Sequence, residues 1–191
     1  MCPILRIKSN LPLCEFTMKE ITAASLSIAL VGALATWIAF GPLSGYILIW
    51  AVFIAWAGFA ALGGDNEALK STIVCGVFGV IIGWIAAFIV LTVPLADTLG
   101  MPLWSAIVVG ITAFTVVFAS NFQIFGAVPA SVLSYAATFA YLLQTNERMF
   151  LATLTSINFE NPLLLISLSV IFGGLFGKIS VIGATYMTKE A

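Results

Sequence analysis

Residues 98–146 read TLGMPLWSAIVVGITAFTVVFASNFQIFGAVPASVLSYAATFAYLLQTN, 49 positions without one charged side chain. A helix rises about 1.5 Å per residue and the hydrocarbon core of a bilayer is about 30 Å thick, so one crossing takes roughly 20 residues. The stretch is therefore long enough to cross twice. Its middle, Ser120-Asn121-Phe122-Gln123, is its one cluster of strongly polar side chains and marks the turn between two helices.

Three further charge-free runs lie outward from it: residues 21–64 (44 positions), 71–96 (26) and 161–177 (17). The first holds two crossings, broken at Gly41-Pro42-Leu43-Ser44-Gly45, where a helix stop and a tight connection are encoded. The other two hold one each. The spacing predicts an all-α membrane protein of six transmembrane helices over residues 21–40, 46–62, 71–93, 103–119, 125–143 and 162–182. Residues 1–20 form a tail, residues 21–186 one transmembrane domain and residues 187–191 a second short tail. Asp65, Asn66, Glu67 and Lys70 read as a solvated loop.

Composition excludes most alternatives. The 191 residues are 62% hydrophobic and 8% charged, with mean hydropathy +1.16, against about a quarter charged in soluble domains. Net charge −1 offers no basic face for nucleic acid. Cys2, Cys14 and Cys75 are scattered and histidine is absent, so neither a metal site nor a cofactor is expected. No nucleophile elbow, zinc-helix motif or phosphate-binding glycine loop is present, so enzyme chemistry is not expected. Lys and Arg concentrate on one side of a six-span layout, at Arg6, Lys8, Lys19, Lys70 and Lys189, against Arg148 on the other. This places both termini in the cytoplasm.

The long–short order of the charge-free runs repeats. Val31-Gly32 corresponds to Val109-Gly110, Trp56-Ala57-Gly58-Phe59 to the run from Tyr135 to Phe139, and Phe78-Gly79 with Gly83 to Phe172-Gly173 with Gly177. The first pair is offset by 78 and the last by 94, so the second half carries a longer loop around residues 144–161. Three helices per half make such a repeat an inverted one, residues 21–94 against 103–182. Inverted repeats are an architecture of transporters. Gly79, Gly83, Gly173 and Gly177 put small residues on one helix face. That face serves either internal packing or a subunit interface in a homo-oligomer.

Candidate pathway residues are few. Asn121 and Gln123 are either a solvated turn or the lining of a polar constriction beside a helix interrupted at Pro129. Ser131, Ser134, Tyr135 and Thr138 recur at helical spacing, as a polar stripe facing a pore or as bonds between helices. Trp56 and Trp84 sit mid-span and can line a lumen or simply pack. Trp37, Trp50 and Trp104 suit the interfacial belt. Lys178 is the one charge inside a span, either functional or snorkelling to the surface.

With these segments in view the chain resembles the YcdZ-like family of small bacterial inner-membrane proteins, a domain of unknown function. The resemblance covers roughly Ala24 to Thr188. It rests on Trp56-Ala57-Gly58-Phe59, on Val128-Pro129-Ala130-Ser131 leading to Ala136-Ala137-Thr138-Phe139, and on Ile171-Phe172-Gly173-Gly174-Leu175-Phe176-Gly177-Lys178. It implies an inner-membrane location and no established substrate. The residues themselves lead to a channel or secondary transporter for a small uncharged or weakly polar solute. The rival is a non-transporting scaffold subunit.

Overall fold

The computed structural model describes residues 18–144 and 148–189. Most of the tail expected over 1–20, with Arg6 and Lys8, and the end of the tail expected over 187–191 lie outside the described residues. So does Glu147. Among those described, the chain is mainly helical and forms no strand, only an isolated bridge between Ser44 and Ile47. The helices are α1 (Met18–Phe40), α2 (Ile49–Ala61), α3 (Asn66–Thr92), α4 (Ala96–Leu99), α5 (Met101–Phe118), α6 (Val128–Gln144), α7 (Leu151–Thr155) and α8 (Pro162–Lys189), with 3₁₀ turns at Ala119–Asn121 and Gln123–Phe125.

A helix thus stands at each of the six places expected. Four, in α1, α3, α5 and α8, are long and apolar enough to cross a membrane. The other two are short: α2 has 13 residues and α6 has 17. Each of these short helices follows an irregular segment rather than a tight turn, residues 41–48 before α2 and 119–127 before α6. The polar loop expected at 65–70 is mostly helix, because Asp65 Oδ1 accepts the Ala68 N–H at 2.7 Å and caps α3 one residue before Asn66. Similarly α8 runs on to Lys189, beyond the end set by its charge-free run.

Glycines decide how the helices meet. Gly79 lies against the Ser131 backbone of α6, and Gly83 against Tyr135 and Thr138, so α3 and α6 run parallel. Gly173 lies against Val52 and Ala55 of α2, and Gly177 against Trp56 and Phe59, so α8 and α2 run parallel as well. These two pairs are the most extensive helix contacts. Between them α3 crosses α8. Gly76 meets Val170 while Gly174 meets Leu69 and Ile73, so advancing along α8 retreats along α3, and the two are antiparallel. The offset of 94 that relates Gly79 to Gly173 also relates Gly76 to Val170, the pair at the crossing.

Around this centre α1 packs on α8, where Ser27 Oγ donates to the Ser180 carbonyl at 2.7 Å, and α5 packs on α3 and α6. The outer faces of α1 and α5 are apolar and exposed, as at Leu30, Trp37 and Phe40 on α1 and Ile111, Phe114 and Phe118 on α5. Lipid satisfies such faces and water does not. Trp104, read as a belt residue, instead turns inward with 8% exposure and packs with Val108 and Tyr135. Its place at the start of α5 puts it beside α3 and α6, where apolar contact outweighs the interface. Trp37, by contrast, is 67% exposed near the end of α1.

Candidate functional site

The α3–α6 seam is a row of glycines facing a row of hydroxyls. Gly76, Gly79 and Gly83 fall three and four residues apart and so share one face of α3, and Ser131, Ser134 and Thr138 do the same on α6. Without side chains on α3 the backbones close together. A Cβ at Gly83 would stand 3.0 Å from Thr138 Cβ, and one at Gly76 3.0 Å from Ser134 Oγ. Ser131, Ser134 and Thr138 are consequently shut off from solvent, as is Thr72 one turn before Gly76 on α3.

Buried hydroxyls are normally hydrogen-bonded. Thr138 donates to the Ser134 carbonyl at 3.0 Å, one turn back along its own helix. Ser131 Oγ and Thr72 Oγ1 have no partner. Further along α6, Tyr135 Oη lies 2.8 Å from Thr112 Oγ1 of α5. Thr112 gives its proton to the Val108 carbonyl at 2.7 Å, which leaves the phenol as the donor. Three helices, α3, α5 and α6, therefore contribute hydroxyls to this part of the bundle.

The α2–α8 seam is built alike but with apolar walls, Val52, Ala55, Trp56 and Phe59. The starts of the two short helices are tied in matching ways. Ser169 Oγ on α8 accepts the Leu48 N–H at 2.9 Å, just before α2. Cys75, which lies 94 positions before Ser169, directs its thiol at the Ile124 carbonyl at 3.5 Å, just before α6.

One end of the bundle is plugged by residues 148–161. Leu154 of α7 is fully buried among Val80, Ala137, Leu165 and Ile166. Its carbonyl accepts from Trp84 Nε1 and from Asn161 Nδ2, both at 2.9 Å, and Asn161 also donates to the Ser156 carbonyl. The Asn161 Oδ1 accepts the Leu163 N–H at 2.9 Å, so one side chain both starts α8 and holds the plug. Tyr141 Oη donates to the Glu160 carbonyl, and Arg148 pairs with the Glu160 carboxylate at 2.9 Å.

That pair sets a pH dependence. The guanidinium hydrogen bond, aided by Asn158, holds the Glu160 carboxyl below its ordinary value, and the same bond raises Arg148. A carboxyl lowered on folding stabilises the fold above its unfolded value and stops doing so as pH falls through its folded value. Glu160→Gln should therefore lower the thermal midpoint slightly at pH 7. The difference from the parent should close below the ordinary glutamate value of 4.5. An equal midpoint for both proteins at pH 7 would show that the exposed pair contributes nothing.

Of the residues singled out from the sequence, Ser131 and Tyr135 join Gly79 and Gly83 at the α3–α6 seam. Trp56 joins Gly173 and Gly177 at the α2–α8 seam. Asn121 and Gln123 belong to neither seam. They are exposed in the 3₁₀ segment before α6, where Asn121 Nδ2 donates to the Phe118 carbonyl at 2.8 Å and caps the end of α5. Lys178 is half-buried on α8 and belongs to neither seam. Trp84 ties the plug rather than a lumen. Thr72, Thr112, Leu154 and Asn161 had no reading from sequence. Thr72 alone left a signal, since it precedes Gly76, Gly79 and Gly83 at helical spacing.

A family model described as "Protein of unknown function (DUF1097)" matches residues 25–185. Neither a curated protein nor a solved structure matches the chain.

Proposed function

We propose, for a chain that belongs to the family described as protein of unknown function (DUF1097), a channel or secondary transporter for a small, uncharged or weakly polar solute. The observation that carries this is that Ser131 and Thr72, both fully buried beside the packed centre of the bundle, have hydroxyls without partners, as has Ser167 on α8. An unpartnered buried hydroxyl is unfavourable by about 1–3 kcal/mol, a penalty that a passing solute or water relieves. The reading includes six crossings in two inverted three-helix repeats, α1–α3 and α5, α6 with α8. It is supported by the parallel α3–α6 and α2–α8 pairs, the antiparallel α3–α8 crossing and the offset of 94 that Gly76 shares with Gly79. With α2 and α6 about 20 and 25 Å long, the irregular segments before them complete each crossing inside protein, as broken helices do in transporters. Both termini then face the cytoplasm of a bacterial cell, which a fluorescent reporter fused to Ala191 tests. Fluorescence absent and an exported reporter active would remove the six-span reading.

The decisive variants are Ser131→Ala and Thr72→Val. Each deletes a hydroxyl that bonds to nothing in the protein, so thermal stability should hold or rise. Solute flux into proteoliposomes, measured by stopped-flow light scattering against a panel of small amides and polyols, should fall about five-fold if each hydroxyl gives about 1 kcal/mol to the passing solute. Parent flux equal to that of empty vesicles for every solute would withdraw transport. It would favour the scaffold reading, for which the exposed apolar face of α5 is the motivating feature. A stoichiometric partner retained through mild-detergent purification would then support it.

A further inference from the structure

The outer face of α8 carries the exposed apolar side chains Leu175, Ile179 and Ile182, and at its edge, half-buried, the one cation of the span, Lys178. Leu175, Ile179, Ile182 and Tyr186 are spaced by three and four residues and form a continuous stripe. Against lipid, an ammonium there is unfavourable unless it reaches the head-group region. Among the described residues Lys178 has no ion pair or hydrogen bond. Val181, one turn on, packs on Gly64, and the adjacent Asp65 is engaged in capping Ala68.

Lys178 opens instead onto a shallow groove lined by Val181, Ile182, Thr185 and Tyr186. Helical side chains ordinarily lean towards the N-terminus, whereas this groove continues towards the C-terminal end of α8. Tyr186 lies eight residues on, about 12 Å along the axis, and is 66% exposed, as an interfacial tyrosine is. The 28 residues of α8 reach about 42 Å, longer than a hydrocarbon core of about 30 Å, so about 12 Å of the helix extends past the core.

We propose that Lys178, Thr185 and Tyr186 bind the phosphate of an anionic phospholipid in the leaflet at the C-terminal end of α8. The ammonium supplies the charge and the Tyr186 hydroxyl a hydrogen bond; the exposed Thr185 hydroxyl, which donates to the Val181 carbonyl at 2.9 Å, rotates from it to give a second, while the acyl chains follow Ile182, Ile179 and Leu175 into the membrane. The lysine is thereby compensated by lipid, and the site is independent of the hydroxyl seam.

The test uses the full chain in phosphatidylcholine vesicles with spin-labelled phosphatidylglycerol or spin-labelled phosphatidylcholine, read as the protein-restricted fraction of each. The parent is expected to prefer phosphatidylglycerol. Lys178→Gln should reduce that preference about five-fold, the effect of one lysine near an anionic surface. Lys178→Arg should keep it, and Thr185→Val with Tyr186→Phe should weaken it with the charge intact. If Lys178→Gln does not fold, the Thr185–Tyr186 double variant decides. A parent without preference overturns the proposal, as does a Lys178→Gln or double variant that prefers phosphatidylglycerol as the parent does. Displacement of the labelled lipid by inorganic phosphate at constant ionic strength would show a free-anion site and also overturn it.

Discussion

Gly79→Ala and Gly173→Ala should each destabilise the fold by about 3 kcal/mol, the upper part of the usual range for overpacking. The added methyl would run into backbone in both cases, the Ser131 carbonyl of α6 for Gly79 and the Val52 carbonyl of α2 for Gly173. A flexible side chain could swing away, but a helix backbone moves only as a body. Gly110→Ala is the control. It is also a mid-helix glycine, yet nothing lies within 4 Å of the new methyl. Alanine there should be neutral or stabilising by up to about 1 kcal/mol through helix propensity. Thermal unfolding in detergent, followed by circular dichroism, ranks the three. A Gly79→Ala protein as stable as Gly110→Ala would mean that α3 and α6 do not meet at this face.

Leu154→Ala should have the second large effect. Buried leucine to alanine costs about 2–5 kcal/mol, and this side chain is fully buried at the end of the bundle. The plug's remaining ties, Trp84 and Asn161 to the Leu154 carbonyl, are to backbone and survive the substitution. The loss should therefore fall on the packing of α7 while the helix pairs persist. On the transport reading, a looser plug raises flux, in contrast to Ser131→Ala, which lowers it. Lower stability together with unchanged or reduced flux would leave α7 as a structural cap only.

The lipid-facing surfaces and the plug show where reading from sequence reaches its limit. Charge spacing located the four long helices and the shorter α2 and α6, because a charged side chain in lipid is too unfavourable to be placed casually. It missed the start of α3, where the Asp65 cap draws polar residues 66–70 into the helix, and the end of α8, which continues into Lys189. Glycine spacing likewise identified Gly79, Gly83, Gly173 and Gly177 as contact positions, because only glycine permits backbone approach of that kind.

What lies on the other side of each glycine is a separate matter. Apolar helices carry little facing information in their periodicity when both protein and lipid accept the same side chains. Trp104 and Trp37 illustrate this, similar in sequence setting and opposite in burial. Asn121 and Ser131 do so for polar groups: the stronger polar signal turned out to be an exposed cap, and the weaker one a fully buried hydroxyl. The sequence by itself determined an all-helical apolar chain, the six helix positions and the glycine faces, since these follow from local charge and side-chain size. Only the tertiary structure decided that α3 pairs with α6 and α2 with α8, that Leu154 and Asn161 close one end, and that Thr72 joins Ser131 among the buried hydroxyls without partners. Those facts depend on contacts between residues far apart in the chain, for which no local pattern is required.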